Sequence, residues 1–214
     1  MRNFTQLPAG TRFNTASHSM VSGLRNGHDV FLQWADFVRS LDDDTTHKLA
    51  VEGGAGIVGI AEAYRTGVMQ FGDGLIKTEI YIDVTGLTSA ATDDDIIGDE
   101  GTGAAHLGQI TAARNGTIYK GQMSCMETPL TGDDDIALWS ATAATGVEDT
   151  LITALAGDAE LVQSQGDSTP WVAGDEIALA ALPAADTYLY LVVDGTGTAG
   201  TYTAGKFMIE LWGY

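Results

Sequence analysis

The chain has 214 residues, with 29 acids against 10 bases, a formal net charge of −19 and a pI near 4.1. That length holds one or two domains with a sizeable core. The charge argues against direct nucleic-acid binding and against contact with an anionic membrane, since both need clustered Lys and Arg.

Residues 1–75 read as a mixed, irregular segment. Asp29 is placed to cap a helix through Leu41, because Val30, Trp34, Phe37, Val38 and Leu41 fall on one helical face. Asp42-Asp43-Asp44 would oppose the dipole at that helix's end. No stretch approaches the ~20 apolar residues of a membrane-spanning helix, and Met1–Gly10 lacks the apolar core of a secretory signal, so cytoplasmic synthesis is expected. Gly54-Ala55-Gly56-Ile57-Val58-Gly59 matches the dinucleotide fingerprint, with Glu79 about 20 residues downstream. The glycine-rich stretch Ile60–Gly74 leaves no room for the βαβ unit the fingerprint requires, so a turn is expected and no cofactor.

From Ile76 the period becomes two. Ile80, Ile82 and Val84 share one face of a half-buried strand, with Tyr81 and Asp83 on the other. Asn115-Gly116, between Gln109–Ala113 and Thr117–Met126, predicts a type I′ hairpin, with Tyr119, Met123 and Cys125 on one face of the return strand. Further strands are expected at Ile136–Trp139, Ala159–Gln163, Glu176–Ala180, Tyr188–Val193 and Lys206–Trp212. Tyr188–Val193 is apolar on both faces, as in a central strand. Leu182-Pro183 followed by Asp186, Tyr188 and Tyr190 suggests an immunoglobulin-type tyrosine corner. About eight short strands fit a mainly β fold, an antiparallel jelly-roll-like β-sandwich over residues 76–214.

The charge is uneven along this division: residues 78–214 carry 21 acids and only three bases, Arg114, Lys120 and Lys206. The triplets Asp42–Asp44, Asp93–Asp95 and Asp133–Asp135 fall in loops. Asp93, Asp95, Asp133 and Asp135 are the candidate ligands for a structural calcium, which needs converging carboxylates. Solubility and edge protection are the competing account of the same charge. His18, His28, His47 and His106 are dispersed, with no HExxH pair and no Gly-x-Ser-x-Gly elbow, and no enzymatic activity is expected. Lone Cys125 reads as a packing residue. Trp34, Trp139, Trp171 and Trp212 are either core residues or a platform for sugars.

Lys77–Leu87, Gly108–Ala113 and the ending Ala204–Tyr214 look like tailed-phage virion proteins, which resemble this chain in being Gly-, Thr- and Ala-rich, acidic, poor in Cys and built as β-sandwiches. The resemblance covers roughly residues 75–214 and points towards marine phages. It implies a non-catalytic head decoration or cement protein on the capsid exterior, bound to the major capsid protein as a homotrimer or other homo-oligomer. Residues 1–75 would then be the docking segment, with Phe4, Leu7, Phe13, Trp34 and Phe37 as interface candidates. A fibre or receptor-binding component that contacts glycans is the alternative, followed by a major capsid protein and, last, a dinucleotide-binding enzyme.

Overall fold

A computed structural model describes residues 52–71, 74–162, 169–195 and 197–214. The helix expected over Asp29–Leu41, the five interface candidates Phe4, Leu7, Phe13, Trp34 and Phe37, the triplet Asp42–Asp44, and His18, His28 and His47 lie outside the described residues. Ala50–Tyr214 form one compact unit.

The unit begins with a one-turn helix, α1 (Ala55–Val58), and strands β1 (Ala63–Gln70), β2 (Ile76–Asp83), β3 (Thr88–Ser89) and β4 (Gly108–Ile110). A second one-turn helix, α2 (Ala112–Asn115), precedes β5 (Ile118–Leu130) and β6 (Ile136–Ala141). Then come β7 (Ala159–Val162), β8 (Glu176–Ala178), β9 (Thr187–Val193), β10 (Gly200–Thr201) and β11 (Ala204–Gly213). Strands make up 45% and helix 7% of the described residues, which are mainly β with antiparallel sheets. One sheet has the order β1-β2-β11-β5-β8, a second β4-β9-β6-β7, and β10 pairs with β3.

Both larger sheets contribute to a single buried cluster. Ile80, Ile82, Phe207 and Ile209 enter it from the first, and Leu138, Leu189 and Leu191 from the second. Each such side chain contributes roughly 1.5–3 kcal/mol when fully buried. In β11 burial alternates strictly, with Phe207, Ile209 and Leu211 inward and Lys206, Met208, Glu210 and Trp212 outward. Residues Leu189–Val193 of β9 are all fully buried, as expected for a strand covered on both faces.

The strands begin earlier than the sequence suggests. Gly67 reads as a break, yet it lies within β1, paired opposite Glu79, and a side chain there would meet only open space. An edge position of this kind tolerates glycine because nothing has to pack against it.

The hairpin expected at Asn115-Gly116 does not form. β4 pairs with β9 and β5 with β11, in different sheets. Local side-chain chemistry redirects the turn: Thr111 Oγ1 accepts from the Arg114 amide, and Asn115 Oδ1 accepts from the Thr111 amide at 2.8 Å. These bonds wind Ala112–Asn115 into α2, and Gly116 ends it at φ +69°. Asn115 is fully buried and its Nδ2 donates to Thr78 Oγ1 at 2.8 Å, so the residue ties α2 to β2 rather than forming a hairpin tip. The register also shifts between Trp212 and Gly213, which turns Ile118 inward and leaves Tyr119 exposed. Tyr119 therefore leaves the face it was expected to share with Met123 and Cys125.

The tyrosine corner is likewise absent. Tyr190 Oη donates to the Ala143 carbonyl at 2.7 Å, far away in sequence rather than a few residues upstream.

Candidate functional site

Two of the acidic triplets flank the exit of β9. The Asp94 amide donates to the Val193 carbonyl, the Val193 amide to the Asp95 carbonyl, and the Asp194 amide to the Asp135 carbonyl. The carboxylates serve the backbone in the same place. Asp93 Oδ1 accepts from the Gly195 amide at 2.9 Å, Asp133 Oδ1 from the Asp135 amide at 2.8 Å, and Asp133 Oδ2 from the Thr198 amide. Ser89 extends this network, accepting from the Asp133 amide and donating to the Thr198 carbonyl.

Burial raises the carboxyl pKa values of Asp94, Asp95 and Asp133, and neighbouring acids reinforce the rise, Asp93 among them for the first two and Asp134 for the third. Glu148 is raised by burial and then by Asp149 and Glu100. The four calcium candidates Asp93, Asp95, Asp133 and Asp135 thus share one end of the fold. No group of three or more ligating side chains converges among the described residues. A hard cation needs several oxygens around one point, and here two of the carboxylates act as loop staples.

The fingerprint glycines have a different use. The Gly54 amide donates to the His106 carbonyl at 2.8 Å and the Gly56 amide to the Ala104 carbonyl at 2.9 Å. A Cβ at Gly54 would lie 2.1 Å from Ala104 O, and one at Gly56 2.6 Å from Gly103 O. The glycines permit close backbone contact with residues 103–106, α1 is only four residues long, and the next strand pairs antiparallel. Amides already bonded to carbonyls cannot cradle a pyrophosphate.

His106 packs against Tyr188 at a centroid distance of 4.9 Å and against Tyr190 at 6.2 Å. Burial lowers its pKa, so the ring is held neutral. Cys125 is buried and its thiol is pushed up to about 11, mainly by burial, which makes it an inert packing residue.

Trp171 is 1% exposed, stacks edge-on against Phe207 and donates its indole N–H to the Ile136 carbonyl at 2.7 Å. Trp171 therefore offers no open face for a sugar platform. Trp139 is half-buried against the same core. Trp212 is different: the Lys120 ammonium lies 4.5 Å and the Lys77 ammonium 5.5 Å from its ring. Lys77 also pairs with Glu79 at 2.8 Å and with Glu210. Nearby, the rings of Tyr119 and Tyr214 meet at 5.9 Å. Strand parity alone puts Lys77 beside Glu79, and Glu210 beside Trp212. It gives no register between β2, β11 and β5, so the cluster was not legible before the pairing was known.

Comparison with protein-family models, curated proteins and solved structures returns no match. The chain's own chemistry is therefore the basis for assigning a role.

Proposed function

We propose that this chain is a virion structural protein of a tailed phage, a head decoration or cement subunit built around a jelly-roll-like β-sandwich. The observation that carries the reading is where the three phage-like segments lie. Lys77–Leu87 contains β2 and Ala204–Tyr214 contains β11, its antiparallel neighbour. Gly108–Ala113 contains β4 and the start of α2, whose Asn115 bonds to Thr78; Thr117, two residues past Asn115, exchanges backbone hydrogen bonds with Tyr214. Two of the three segments therefore lie side by side as paired strands, and the third, whose strand β4 belongs to the other sheet, is linked to them through α2.

Charge supports the same role. Residues 1–75 are nearly neutral, with eight acids and six bases, whereas residues 76–214 carry 21 acids and four bases. A neutral segment is suited to docking on a shell, and an acidic unit to facing water. Such a subunit, bound as a homo-oligomer to the major capsid protein, stabilises the assembled head by mass action.

Quantitative mass spectrometry of purified particles from the producing culture tests this. A copy number comparable with that of the major capsid protein is expected. Absence from particles overturns the reading, and a small copy number transfers it to a fibre or tail part.

A further inference from the structure

We propose that the outer face of the five-stranded sheet is a self-association surface, on which the same face of a second copy docks about a twofold axis running along β11. The proposal stands independently of the virion reading.

The argument starts from where the charges sit. Of the five bases in residues 50–214, Arg65, Lys77, Lys120 and Lys206 all belong to this sheet, and strand register turns each towards its outer face. Among the described residues five acids share that face: Glu79, Asp83, Glu127, Glu176 and Glu210. Lys206 pairs with Glu127 and with Asp83, as Lys77 does with Glu79 and Glu210. The face is thus close to neutral, and nearly all of the net −19 lies elsewhere. Two copies approaching through the acidic surfaces elsewhere on residues 50–214 bring like charge against like charge, which costs several kcal/mol.

The apolar content is right for an interface core. Tyr81, Met208 and Trp212 lie half-buried on the face, and Met69 is exposed at its margin. Aromatic residues, Met and Arg are the types enriched in interface cores. The 42 residues of the five strands, about 3.3 Å apart along a strand and about 4.8 Å between strands, present roughly 650 Å² per copy, at the lower bound of specific interfaces.

Register supplies the complementarity. Arg65, Tyr81, Met208, Ser124 and Glu176 form one continuous row across the sheet. Arg65 stands exposed on edge strand β1 and Glu176 exposed on the opposite edge, β8. A twofold axis along β11 places the Arg65 margin over the partner's Glu176 margin, and the reverse, with Met208 of each copy meeting at the centre.

Sedimentation equilibrium of the full chain, with folding checked by circular dichroism, tests the proposal. A monomer–dimer equilibrium is expected whose dimer strengthens with added salt, as screening removes the residual repulsion between acidic copies. Met208→Glu should abolish it, and Arg65→Glu should weaken it about tenfold. The decisive variant is Glu176→Arg. It reduces the overall negative charge, so general repulsion would make it tighten the dimer, whereas the facing margins require it to weaken the dimer. Combining Arg65→Glu with Glu176→Arg should restore wild-type affinity. A chain that stays monomeric at all salt concentrations, forms trimers, or dimerises more tightly as Glu176→Arg overturns the proposal.

Discussion

Asn115 shows how one side chain can decide between two turns that share a sequence. An Asn-Gly pair satisfies the backbone demands of a I′ hairpin, but here Asn115 bonds both Thr111 and Thr78 and is fully buried. Replacing it with Ala leaves the Thr111 amide and Thr78 hydroxyl without those partners, at a cost of about 1–3 kcal/mol. A fall in Tm of roughly 2–4 °C per kcal/mol should follow in thermal melts. Gly116→Ala should cost at least as much, because φ is +69° and the new Cβ would lie 2.7 Å from the Tyr214 amide nitrogen. Trp171→Ala should lose about 3–5 kcal/mol in urea denaturation, since it empties a buried volume against Phe207. Near-wild-type stability in that variant would show that the indole is not a core residue. Cys125 as a packing residue was legible from its neighbours Met123 and Met126; the uses of Asn115 and Trp171 were not, because their partners lie 37 and 35 residues away.

Among the elements, strands with an unambiguous period of two were legible and those defined by their partners were not. Ile80, Ile82 and Val84 alternate cleanly, and β2 ends at Asp83. Doubly apolar Tyr188–Val193 sits between β4 and β6, as its composition implied. By contrast β3 and β10 have two residues each and exist only as a pair, which no local pattern announces. The triplets Asp93–Asp95 and Asp133–Asp135 were correctly placed outside the named strands, but their work on backbone amides depends on where β9 ends. Hydrogen exchange should reflect this hierarchy, with the amides of β9 and β11 slowest and those of β3 and β10 fastest. Equal protection of all four would contradict the sheet order described above.

At the scale of the whole molecule, titration and synthesis order both follow from the layout. Asp94, Asp95, Asp133 and Glu148 have folded-state pKa values above the ordinary carboxylate range. The native state therefore keeps protons that the unfolded chain has released, and stability falls as pH rises from the ordinary carboxylate value through the raised ones. His106 works the other way: its pKa is lowered, so its contribution is present above about 6.5 and lost as pH falls through the lowered value. Four carboxylates and a net charge of −19 outweigh one imidazole, so Tm should be higher near pH ~5 than near pH ~8. His106→Gln should steepen that rise, and a Tm that drops on acidification to pH ~5 would contradict it. The position of β11 has a separate effect on how the molecule comes into being. It is made after β1, β2, β5 and β8, yet it is the strand that joins β2 to β5. Until Ala204–Gly213 leaves the ribosome, those two strands hold their facing edges open, so the sheet is completed only after its last strand has been made. A chain stalled before Ala204 is a candidate for chaperone capture or edge-to-edge aggregation.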